Sequence, residues 1–122
     1  MRLYEVTVTT DASGDATAYV PSVGRARGLL ESIQYQKVDF ADGVDFTITD
    51  EETGENLWVQ SNVNASAIVR PRAPTHDQAG TAALYASDGT AVGNKIAVVS
   101  RVKIAIAQGG NAKSGVFRVI VG

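Results

Sequence analysis

The chain has 122 residues, 11 Lys and Arg against 13 Asp and Glu, a formal net charge of −2, and no cysteine. That length suits one domain able to bury a core without staples; the missing cysteines remove disulfides and thiolate metal sites, and the near-neutral charge leaves no basic footprint for direct nucleic-acid binding. No run approaches the roughly 20 apolar residues of a membrane span, and MRLYEVTVTT lacks a signal peptide's unbroken apolar core, so synthesis in the cytoplasm and no membrane partner are expected.

Twelve glycines, many Thr and Val, and few helix formers in periodic runs move the expectation to all-β. Leu3 to Thr10 alternates, with Tyr4, Val6 and Val8 on one face, and predicts a first strand. Asp11 to Asp15 is a turn, Ala16 to Val20 a short return strand stopped by Pro21, and Pro21 to Gly28 a loop holding Arg25 and Arg27. Leu29 to Phe40 reads two ways. A helix gathers Leu29, Leu30 and Ile33; a strand aligns Leu29, Ile33 and Tyr35 with Glu31 and Lys37. The β-type residues and the missing cap favour the strand, with a bulge before Val38 and Phe40.

Val44 to Val59 is the clearest hairpin. Val44, Phe46 and Ile48 alternate with Asp45, Thr47 and Thr49, a polar run with Gly54 follows, and Leu57-Trp58-Val59 resumes. Ser61 to Ser66 is loose and polar, and Ala67 to Val69 a short strand. Arg70 to Gly80 is an extended excursion stiffened by Pro71 and Pro74. Ala82 to Tyr85 is a brief apolar piece, and Ser87 to Thr90 a turn. Lys95 to Gln108 is the longest alternating run, with Ile96, Val98, Ser100, Val102, Ile104 and Ile106 on one face. Gly109 to Gly115 reads as a hairpin loop into the last strand, Val116 to Val121. About eight strands indicate a single antiparallel β-sandwich or jelly-roll-like domain.

Motifs that suggest chemistry each meet a plainer reading. Gly109 to Gly115 lacks the Gly before Lys113 and the following helix of a phosphate loop. Asp39, Asp42 and Asp45 surround Gly43 without EF-hand spacing and read as a turn. Asp50, Glu51, Glu52 and Glu55 read as a solvated hairpin tip. His76 beside Asp77 has no nucleophile to activate. Trp58 and Tyr35 are either ligand platforms or, more commonly for alternating strands, core or interface aromatics. No catalytic residue, cofactor site or metal site is assigned.

Two surfaces stand out. Behind the core face of Ile96 to Ile106 lie Ala97, Val99, Ala105 and Ala107, interrupted by Arg101 and Lys103; the last strand adds Val116 and Ile120 around Arg118. If the two strands pair as a hairpin, Val99, Arg101, Ala105, Val116 and Ile120 form one patch, a candidate oligomer interface for a trimer or dimer unless a loop covers it. Arg70, Pro71, Arg72, Pro74 and His76 form the second candidate, a contact arm for an acidic partner surface or, on the plainer reading, a solvated loop.

Gly28-Leu29 with Ile33-Gln34-Tyr35, DFADGVDFTIT from Asp39 to Thr49, the Thr53-Gly54 to Leu57-Trp58 hairpin, the Pro71-Arg72 arm with His76, and Gly109-Gly110 to Phe117 together resemble small all-β virion proteins of tailed bacteriophages. The resemblance implies a non-enzymatic capsid decoration or accessory protein that binds the major capsid protein lattice as a homo-oligomer and is located in the virion. Head-completion or tail proteins are the alternative station. A ligand- or carbohydrate-binding β-sandwich module, and more remotely a hydrolase, are the alternatives of another class.

Overall fold

The structure, a computed structural model, describes residues 1–122. All regular structure is β. One sheet holds β1 (Arg2–Thr9), β11 (Ser114–Val121), β3 (Gly28–Lys37) and β6 (Ala67–Val69) in that order, with β9 (Ala97–Val98) also on β3. The second holds β2 (Ala16–Val20), β10 (Val102–Ala107), β4 (Val44–Asp50) and β5 (Asn56–Val63). A small ribbon, β7 (Arg72–Pro74) with β8 (Gly93–Lys95), stands apart. Every pairing is antiparallel.

Alternation builds the core, because period-two strands bury every second side chain. Tyr35, Phe117, Val119 and Ile33 from the first sheet face Phe46, Ile48, Ile104 and Val102 from the second, all buried. An aromatic cluster bridges the sheets. Phe46 meets Tyr35 edge-on at 4.6 Å between ring centroids, Phe117 at 5.1 Å and Trp58 at 5.4 Å. These offset geometries favour aromatic pairs beyond the area they bury. Phe40 sits in a loop yet is buried. Its ring packs on Gly115, where a Cβ would stand 2.5 Å from it, so only glycine leaves room.

Several sequence expectations change. Eleven strands form rather than eight. The turn at Asp11 to Asp15 is a corner between sheets, since β1 pairs β11 while β2 pairs β10. The bulge in β3 falls at Glu31, where Ser32 opposes Ile120 and Leu30 opposes Val121. It turns Leu30 inward and leaves Leu29 exposed, and the expected bulge before Val38 is absent because the strand ends at Lys37. β5 runs on through Val63 instead of loosening at Ser61; the register shift between Ile48 and Thr49 of β4 lets Leu57 and Trp58 both turn inward.

The long run after Lys95 keeps its predicted buried face, but not as one strand. Leu30 N–H donates to Ile96 O at 2.8 Å in the first sheet, and Glu51 N–H donates to Arg101 O at 2.9 Å in the second. The chain therefore crosses between sheets at Val99 to Arg101. Asp50, fully buried, fixes the crossing: its carboxylate accepts from Val99 N at 3.1 Å and from Glu52 and Thr53 N at the β4–β5 turn. Asp50 is thus a buried brace, not part of a solvated tip.

Candidate functional site

The predicted interface residues do not meet. Ala105 lies on the outer face of the second sheet between Thr17 and Thr47. Val116 and Ile120 lie on the outer face of the first, beside Thr7 and Leu3. β10 and β11 belong to different sheets, so the predicted hairpin loop of Gly109 to Gly115 is instead an inter-sheet connection that ends at Lys113, with Ser114 and Gly115 already in β11. It is stitched to the other corner by Gly109 N to Gly14 O and Thr10 N to Lys113 O. The single patch of Val99, Arg101, Ala105, Val116 and Ile120 is therefore not formed.

Arg101 is occupied internally. Its guanidinium donates to both Glu51 carboxylate oxygens, at 2.6 and 2.8 Å, and lies 4.3 Å from the Tyr19 ring centroid. The Arg101 hydrogen bond holds the Glu51 carboxyl below its ordinary pKa. Arg118 likewise bridges Glu5 and Gln36 across the outer face of the first sheet. Both outer sheet faces are mixed polar surfaces rather than apolar ones.

Trp58 and Tyr35 are core residues, 8 % and 0 % exposed, and neither can serve as a ligand platform. The carboxylates around Gly43 are spent separately. Asp39 accepts from Ser114 N, Asp42 pairs with Lys37, and Asp45 accepts from Asn62 N. No group of three or more His, Asp or Glu side chains converges as metal ligands would. Asp77 accepts from Ala79 and Thr81 N, closing a turn, while His76 is exposed and forms a bridge to Ala82.

The excursion is larger than the predicted Arg70 to Gly80. It runs from Arg70 to Lys95 and contains no buried residue. It is nevertheless ordered by its own backbone. Arg72 pairs with Lys95 and Pro74 with Gly93. Beyond them, Thr75 N donates to Val92 O, Val92 N to Ala83 O, and Ala83 N to Thr75 O. The result is a projecting arm of three short extended segments. Of the predicted contact residues, Pro71, Arg72 and Pro74 lie at its base and first strand, with Arg70 just before and His76 just beyond. Arg72 Nη1 donates to Pro71 O at 2.8 Å. The tip carries Leu84 and Tyr85, 45 % and 75 % exposed. Tyr85 N donates to Thr90 O at 3.1 Å and Gly89 N to Ala86 O at 2.8 Å, which fixes a tight turn around Asp88.

One open groove of about 670 Å³ lies beside the arm's root. Leu29, Ala97, Val98 and Val99 line it together with Arg25, Arg27 and Glu52. Neither arginine has an ion-pair partner, unlike Arg101 and Arg118. The groove can take an apolar group carrying a negative charge. Sequence reasoning placed Arg25 and Arg27 in a loop and noted Ala82 to Tyr85 as apolar, but no spacing signal joined them to Leu29 and Val99.

No protein-family model, curated protein or solved structure matches the chain.

Proposed function

We propose that this chain is a non-enzymatic structural protein of a bacteriophage virion, a decoration protein that binds the major capsid protein lattice as a homo-oligomer. The observation that carries the assembly part of this reading is the arm. Residues 70–95 keep a hydrogen-bonded conformation with no fully buried residue, only Ala73 at the base packing against the core. A ribbon without a covered apolar face is marginal in water, and a preformed arm loses little entropy on docking. Such a segment is suited to a partner surface. Its base, with Arg70 and Arg72 close together, suits an acidic patch on the lattice. The virion assignment rests on the resemblance of the sequence pattern described above.

The test is arm excision. Pro74 and Gly93 are register partners, so replacing Thr75 to Val92 with Asn-Gly closes a two-residue hairpin. The variant is expected to stay folded and melt no lower than the wild type, since a shorter loop costs less closure entropy. Its binding to particles lacking this protein, measured by co-sedimentation and cryo-EM occupancy, is expected to fall at least tenfold, the scale of about 1.4 kcal/mol. Full occupancy by the excised variant would refute the arm's role.

A further inference from the structure

Leu84 and Tyr85 are exposed at the arm tip, with the exposed carboxylate of Asp88 three residues beyond Tyr85. From Ala73 to Asn94 the only formally charged side chains are Asp77 and Asp88. The groove at the arm's root is lined by apolar Leu29, Ala97, Val98 and Val99 together with the unpaired Arg25 and Arg27 and one acidic side chain, Glu52, so its lining side chains are net positive. Leu29 and Val99 are 45 % and 46 % exposed. We infer that the groove receives the arm tip of a second copy of this chain, with Leu84 and Tyr85 on its apolar residues and Asp88 against Arg25 and Arg27.

Three observations favour that occupant. The groove volume of about 670 Å³ falls within the roughly 300–1,000 Å³ of sites that hold a bulky side group or ligand. The charges are complementary: Asp88 meets a groove lined by Arg25 and Arg27 against the single side-chain carboxylate of Glu52, a net positive set of side chains that fixes orientation and steers encounter. The chain's own fold leaves the tip exposed, and the arm's two legs are fastened at its root by Lys95 and Arg72 on Glu31. The contact joins different surfaces on the two copies. It therefore closes as a reciprocal dimer or a small ring, or else propagates.

This inference rests on the reading of the chain as an assembling protein, and its test separates the two. The tip variant carries Leu84→Ser with Tyr85→Ser; the groove variant carries Arg25→Glu with Arg27→Glu. All four positions are exposed, so both variants keep the fold, verified by Trp58 fluorescence and melting. Mass is measured by light scattering after size exclusion at up to about 1 mM, because an interface below about 1,200 Å² belongs to the weak class. The wild type is expected to exceed monomer mass, and each variant alone to be monomeric. An equimolar mixture of the two is expected to form a dimer, since it restores one intact tip and one intact groove. Asp88→Arg is expected to dissociate the wild type and to regain association with the groove variant. A monomeric wild type, an oligomer that survives either pair of substitutions, or a mixture that stays monomeric overturns the inference. Particle binding by a monomeric wild type would overturn it, and the homo-oligomer part of the proposed function with it, while leaving the lattice-binding part standing. Self-association through tip and groove without any particle binding would do the reverse.

Discussion

Tyr35→Phe is expected to stabilise this protein, against the usual direction of core substitutions. The Tyr35 side chain is 0 % exposed and its hydroxyl is buried without a hydrogen-bond partner. A hydroxyl buried unpaired costs about 1–3 kcal/mol on protein mutational data. Its removal leaves a void on the order of 20 Å³, which costs about 0.5 kcal/mol at about 24 cal/mol per Å³. The ring contacts with Phe46, Phe117 and Phe40 are unchanged. The net gain is about 1 kcal/mol, or about 4 °C in melting temperature for a domain of this size. The same substitution changes the alkaline limb. Burial pushes the Tyr35 phenol up from 10.0 to about 12, with the Asp42 carboxylate contributing. The folded state therefore holds the proton longer than the unfolded state. The stabilisation this gives is present below about pH 10 and is lost as pH rises from there towards 12. The phenylalanine variant lacks the group and should lose less stability over that window. Urea titrations followed by Trp58 fluorescence at neutral pH and at several alkaline pH values measure both effects. A variant destabilised by more than about 1 kcal/mol would mean that the hydroxyl is partnered in solution, by a buried water for instance.

Phe46→Ala should cost about 3–5 kcal/mol, because Phe46 touches Tyr35, Phe117 and Trp58 at the centre of the core; an unchanged midpoint in urea would refute that placement. Asp50→Ala should cost about 2–4 kcal/mol by stranding the Val99, Glu52 and Thr53 N–H groups, and hydrogen exchange should quicken at Val99 before the rest of the core; uniform exchange would argue against a local brace.

Much of the fold was legible because its strands obey a period of two. Val44, Phe46 and Ile48 are buried as the alternation required, and so is every residue of the Ile96 to Ile106 face. Pairing was less legible. The apolar second face behind Val102 to Ala107 suggested a joint patch with Val116 and Ile120, but alternation says nothing about which sheet a strand enters. That choice was made at Val99 to Arg101 by the Asp50 carboxylate and the Glu51–Arg101 pair. Asp50 looked like one more acid on a polar tip, and no local rule marks a carboxylate that will be buried by a segment 49 residues away. The groove was illegible for a related reason. Its walls come from a loop, a strand start, a hairpin tip and a crossover, brought together only by the tertiary fold.

The arm has an architectural origin that explains how it coexists with a complete core. β11 occupies one edge of β3, and both β6 and β9 lie along the other. β6 pairs Ile33 to Tyr35, β9 pairs Gly28 and Leu29, and both run antiparallel to β3. They are two halves of a single edge strand, with Arg70 to Lys95 inserted between them. The insertion point faces Glu31, the bulged residue of β3. There Lys95 Nζ pairs with the Glu31 carboxylate at 2.6 Å and Arg72 Nη1 reaches Glu31 O at 3.4 Å, so the bulge clamps both legs of the arm. The Lys95 bond also holds the Glu31 carboxyl below its ordinary pKa. An insertion into an edge strand removes no inward-facing residue from a central strand, and it splits that edge into pieces of three and two residues. Short edge pieces offer a poor template for uncontrolled sheet-to-sheet pairing. The 8-residue β1 and β5 remain as longer edges of the two sheets, so the split blunts this one edge, and the association proposed above uses the arm and the groove at its root instead.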